Sequence, residues 1–125
     1  MSLKSFTDAY MEAALWSSHD EEGTPLDSNY CFGDFAPEAL EKINADCKAF
    51  YDAHSATWEG QYRYVVPWDD DEMAGHDFWL TRVGHGAGFW DGDWEGNVGD
   101  ILTEACKAFR ECDIVIGDDG KLYVE

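Results

Sequence analysis

His76-Asp77, His85 and Asp91 are the residues whose types and spacing come nearest to catalytic chemistry. Two imidazoles and a carboxylate can hold a transition metal, or supply a general base and its orienting acid. They meet only if the chain between them folds as a hairpin, and their spacing matches no established metal motif. Asp91-x-Asp93-x-Glu95-Gly96 copies the opening of an EF-hand loop, glycine at the sixth position included. The copy then fails. Leu102 stands where a bidentate glutamate is required, Glu104 comes two residues late, and a helix is predicted to start near residue 98. Gly84-x-Gly86-x-Gly88 lacks the P-loop lysine and the full dinucleotide pattern. No G-x-S-x-G elbow is present. The cysteines Cys31, Cys47, Cys106 and Cys112 form no C-x-x-C pair, and none has a flanking histidine. Cys47 and Cys106 fall on apolar helix stripes and are expected to be buried thiols. No catalytic residue and no cofactor is assigned from these features, and a metal site is left open. The enzyme class is the less favoured one. The alternative it leaves is a small enzyme or divalent-cation-binding domain using the His76–Glu95 segment.

Charge points elsewhere. The chain has 125 residues, with 27 acids against 8 bases and a net charge of −19. Direct binding to nucleic acid or an anionic membrane needs a basic face, so both are disfavoured. From residue 64 to 104 there are ten acids and one base, Arg82, which places −9 of the −19 in a third of the length. Arg82, alone among these acids, is expected in an internal ion pair or hydrogen-bond network. Like charges repel at close range, a cost that a solvated face tolerates and a cationic partner relieves. At 45% hydrophobic and 15% aromatic residues, the chain has the apolar area to fold. Its length suits one domain over residues 1–125. No apolar run approaches the ~20 residues of a membrane span. Met1-Ser2-Leu3-Lys4 is followed by no signal-peptide core, so a cytoplasmic location without structural disulfides is expected.

The periodicities supply the elements that must position these side chains. Residues 5–17 are predicted helical, with Ser5 and Asp8 at capping-box spacing. Residues 18–35 carry the turn formers of a loop, pinned by Tyr30, Phe32 and Phe35. Residues 36–54 form the clearest helix, with Leu40, Ile43, Cys47, Phe50 and His54 on one stripe. Strands are predicted over 61–66, 76–82 and 88–90, and a third helix over 98–111. Asp118-Asp119-Gly120 between two apolar triplets predicts a closing hairpin. The fold class expected is α+β, about three helices packed on a small, mostly antiparallel sheet of four or five short strands. Trp16, Trp58 and Trp79 are expected in the core.

The run Gly75-His-Asp-Phe-Trp-Leu-Thr-Arg-Val-Gly-His-Gly-Ala-Gly-Phe-Trp-Asp91 resembles a signature of small uncharacterised phage and prophage proteins, as does Gly117-Asp-Asp-Gly-Lys-Leu-Tyr123. The matching part covers roughly residues 65–125. The resemblance carries no catalytic residues. It implies a mobile-element context, and so action inside a bacterial host cell. Charge and context together suggest a non-enzymatic acidic binding protein. It would be a phage-encoded nucleic-acid mimic, blocking a host nucleic-acid-binding defence protein through that protein's basic surface. The partner-binding residues expected are Asp69, Asp70, Asp71, Glu72, Asp91, Asp93 and Glu95, with Trp90 and Trp94 as anchors beside Trp68. Asp20, Glu21 and Glu22 form a second acidic patch.

Overall fold

The computed structural model describes residues 2–64, 69–84 and 87–125. Among them, four α-helices precede a β-hairpin: α1 (Leu3–Ser17), α2 (Pro37–Trp58), α3 (Asp70–Val83), α4 (Val98–Cys106), then β1 (Ile114–Ile116) and β2 (Leu122–Val124). The α+β class holds in this coarse form, while the proportions differ from expectation. There are four helices instead of three, and the described residues contain one two-stranded antiparallel sheet.

The largest correction falls on residues 76–82, which belong to α3 and not to a strand. The alternation of Phe78 and Leu80 with polar neighbours imitates a strand, yet the end signals are helical. The Asp69 carboxylate accepts a hydrogen bond from the Glu72 N–H at 2.8 Å, and the Glu72 carboxylate accepts one from the Asp69 N–H at 3.4 Å. Three acids fill the first turn, Arg82 lies in the last, and Gly84 closes the helix at φ 73°. The buried positions 71, 74, 75, 78 and 82 recur at helical spacing. Of the predicted strand 61–66, Tyr62 makes a single bridge to Trp94, and Val65 and Val66 lie outside the described residues. Residues 88–90 form a bend and turn instead of a strand. α1 begins two residues earlier than expected and is capped by Ser2, whose hydroxyl accepts from the Ser5 N–H at 3.1 Å. Pro37 opens α2 as expected, and the helix runs on to Trp58. α4 stops at Cys106, and a 3₁₀ turn carries the chain through Lys107–Phe109.

α1 packs closely on α3 because Gly75 has no side chain. A Cβ there would collide with the carbonyl of Phe6. The crossing buries Phe6, Tyr10, Phe78 and Trp79, while Phe50 and Trp58 enter from α2. Phe50 and Phe78 stack at 4.1 Å, and Phe6 lies parallel to Trp58 at 5.3 Å. Such aromatic pairs contribute about 0.5–1.5 kcal/mol each beyond their burial. Trp58 and Trp79 are core residues as expected, the Trp79 indole donating to Ser17 Oγ at 2.9 Å. Trp16 is not: it is 49% exposed, its ring 5.9 Å from that of His76 on the outer rim of the α1–α3 crossing. Trp16 follows exposed Glu12 by one helical turn and so falls on the outward face of α1. Cys47 and Cys106 are buried, and burial pushes both thiols up, Cys106 to about 12.

Arg82 ties this core to the chain end. Its Nη1 donates to Tyr10 Oη at 3.0 Å and Asp46 Oδ2 at 2.8 Å, and its Nε donates to the Arg110 carbonyl at 3.1 Å. Nη2 donates to the Phe109 carbonyl, and the guanidinium stacks over Phe78 and Phe109. The internal network expected for Arg82 is present. Arg110 is the one non-glycine residue with positive φ among those described, at 57°, and Arg82 holds the carbonyls on both sides of that strained turn. In the hairpin, Ile114 faces Val124, Val115 faces Tyr123 and Ile116 faces Leu122. None of the described helices is long and apolar enough to cross a membrane.

Candidate functional site

Two acidic runs, Asp69–Glu72 and Asp91–Glu95, meet across one short piece of backbone. After α2 ends, the Gly60 N–H donates to the Asp70 carboxylate at the start of α3. One residue further, the Glu95 N–H donates to the Gln61 carbonyl at 2.8 Å, and the Arg63 N–H to the Asp93 carbonyl at 2.9 Å. Tyr62 and Trp94 therefore pair as an antiparallel bridge, and residues 60–63 are bonded to the first run on one side and the second on the other. The Arg63 side chain crosses to the Trp94 carbonyl at 3.2 Å and approaches Glu95 at 3.7 Å.

Placement divides the expected partner-binding residues. Asp91, Glu95 and Trp90 are exposed, while Asp69, Asp70, Glu72 and Asp93 are half-buried. Asp71 and Trp94 are corrections. Asp71 is buried and accepts from the Trp58 indole at 2.9 Å and the Tyr51 hydroxyl at 3.1 Å, so its charge anchors α2 to α3 and presents nothing to a partner. The i, i+3/i+4 rhythm of α3 turns that one carboxylate inward out of a run of four acids. Trp94 is 2% exposed, because its apolar ring covers α3 and its N–H finds an acceptor there. Trp68 lies outside the described residues. Sequence reasoning missed Glu59, an exposed carboxylate at the end of α2 next to the residue that bonds Asp70.

The acceptor for Trp94 is Asp77, whose Oδ2 receives the indole N–H at 2.9 Å. Oδ1 of Asp77 is buried without a hydrogen-bond partner. Burial pushes the Asp77 carboxyl up to about 8; the Trp94 bond opposes that rise, and the charges of Asp91 and Asp93 add to it. Asp93 is raised to about 6 by burial, by hydrogen bonding with Asp91 and by the charge of Asp91. Asp77 is therefore a neutral acid near pH 7. A general acid must reach its substrate, and Asp77 is 1% exposed beneath an indole.

His76 and Asp77 lie on α3 and not on a strand. The charge of Asp91 reaches Asp77, which is buried beneath Trp94. His76 sits against Trp16, where burial lowers its pKa and Glu12 opposes that shift. His85 and Gly86 lie outside the described residues. In the EF-hand-like stretch, Gly96 takes φ 54° and α4 begins two residues later. Among the described residues, no three His, Cys, Asp or Glu side chains are placed to hold a metal ion.

No protein-family model matches the chain, and no curated protein or solved structure matches it either.

Proposed function

We propose that this chain is a non-enzymatic binding protein whose acidic face occupies the basic nucleic-acid site of a partner. The observation that carries this reading is the joining of two acidic runs through residues 60–63, which sets the carboxylates of Asp69, Asp70, Glu72, Asp91, Asp93 and Glu95 around one short bridge. Exposed Glu59 extends the same face, whereas Trp90, 44% exposed, lines a groove with Thr103, Lys107 and Arg110 and is not counted in it. Asp91 and Glu95 are exposed on backbone pinned to residues 61–63, so they stand in for phosphates at little ordering cost. A net charge of −19 steers the protein toward a cationic surface and away from nucleic acid itself. In this reading, which takes up the expected phage and prophage context of residues 75–91, the partner is a bacterial defence protein met in the host cytoplasm.

The test is affinity capture from a bacterial lysate at low and high salt, with and without competing DNA, using the wild-type chain and Asp91→Lys/Glu95→Lys. A nucleic-acid-binding partner that DNA displaces, salt weakens and the double reversal releases is the expected result. A partner indifferent to DNA and to the reversal overturns the proposal.

A further inference from the structure

The hairpin has two outer edges, and they are treated differently. Along β2 the edge is closed: Phe35 bridges Leu122 in parallel, and the Ala36 N–H donates to the Leu122 carbonyl at 2.9 Å. Along β1 it is open. Asp113 exchanges both backbone hydrogen bonds with Glu125, and Gly117 donates to Lys121 at 2.8 Å. Alternation then makes Val115 the bonded position, so Ile114 and Ile116 aim their N–H and C=O groups outward. The Ile114 N–H is taken by the adjoining Asp113 carboxylate at 2.8 Å, whereas the Ile116 N–H has no partner among the described residues. Free edges are commonly blunted by lysine, proline or a bulge. This one is Ile-Val-Ile, with Val115 40% and Ile116 37% exposed.

Beside that edge runs a groove of about 510 Å³, with Leu26 in its wall and the turn His19–Glu22 along its rim. The turn is held rigid. Asp20 Oδ1 accepts from the Glu22 and Thr24 N–H groups, both at 2.9 Å, and the Asp20 N–H donates to the Thr24 carbonyl at 2.9 Å. Glu21 and Glu22 are exposed, and their carboxylates bond nothing among the described residues. One wall therefore offers unpaired main chain and the other offers free negative charge.

We propose that this groove binds an extended, basic peptide segment of a partner protein by strand addition to β1. The peptide backbone would pair with the Ile116 N–H and C=O and with the Ile114 carbonyl, the Ile114 N–H being held by Asp113. Alternate side chains would reach Glu21 and Glu22, the combination of main-chain affinity and side-chain selectivity that strand addition uses. A second copy of this chain is the poorer occupant, because each copy brings −19. The groove shares no residue with the face around residues 60–63 and does not depend on it.

The test uses a labelled octapeptide alternating lysine and valine, capped at both ends, with binding to the full chain followed by fluorescence anisotropy and amide chemical shifts. The expected result is shifts centred on residues 114–116 and at least tenfold weaker binding to Glu21→Lys/Glu22→Lys. The same peptide N-methylated at alternate residues is expected to lose binding at unchanged charge, since only its backbone donors are removed. Ile116→Pro, which deletes an N–H that the hairpin does not use, is expected to behave like the methylated peptide. Asp91→Lys/Glu95→Lys is expected to bind as wild type, which separates this site from the acidic face. Equal binding of the methylated peptide, indifference to the Glu21/Glu22 reversal, or absence of binding overturns the proposal. So does a dimer in sedimentation that Ile116→Pro dissociates.

Discussion

Asp69–Glu72 and Asp91–Glu95 look alike on paper, yet the fold uses them in different ways. In the first run, Asp69 and Glu72 cap α3 reciprocally, Asp70 fixes Gly60, and Asp71 is buried under Trp58 and Tyr51. In the second, the backbone does the structural work by pairing with residues 61–63, and the Asp91 and Glu95 side chains face outward. Charge at a helix start is absorbed by orphan N–H groups and the helix dipole. Charge in a bridged turn is left for solvent or a partner. A count of acids therefore overstates the charge available for binding, and the two runs must be broken differently.

The largest effect is expected at Asp71. Asp71→Ala leaves the buried Trp58 indole N–H unpaired and removes the acceptor of the half-buried Tyr51 hydroxyl, and should cost about 1–3 kcal/mol in denaturant unfolding. A loss below about 0.5 kcal/mol would mean that the first run is not structural. Asp77 is next. Its folded pKa of about 8 stands above the ordinary carboxyl value, so its contribution is fully present below about pH 4. That contribution falls as pH rises toward 8, at up to about 1.4 kcal/mol per pH unit. Asp77→Asn keeps an oxygen for Trp94 and should flatten stability between pH 4 and 8 and raise the melting temperature at pH 8. An unchanged pH profile would show that Asp77 is ionised in the folded state. Asp69→Ala should cost about 1 kcal/mol, the usual worth of an N-cap. Asp91→Asn with Glu95→Gln should leave stability within about 0.5 kcal/mol, as exposed substitutions do. Its effect should appear in partner affinity and in the salt slope of binding. Unfolding by this last pair would erase the difference between the runs.

Much of the scaffold was legible. Pro37 and the stripe through Ile43, Cys47 and Phe50 located α2, and the aspartate-glycine turn located the hairpin, because both signals are local. In α3 two local signals conflict: the alternation of Phe78 and Leu80 with polar neighbours imitates a strand, while the Asp69–Glu72 capping box specifies a helix start, and the helix prevails. Less of the candidate site was legible. Sequence placed acids densely between residues 69 and 95, but Trp94 passed for an anchor and Asp71 for a surface charge.

By itself the sequence determined the charge, the Pro37 start of α2, the hairpin turn and the internal duty of Arg82. The first three depend on near neighbours, and Arg82 is a lone cation that must find acceptors. Only the tertiary structure decided which carboxylates face water, that residues 60–63 join the two acidic runs, and that Asp77 is buried beneath Trp94. It also decided that β1 keeps an open edge while β2 does not. Each of these depends on groups brought together from distant parts of the chain, which spacing within one element does not register.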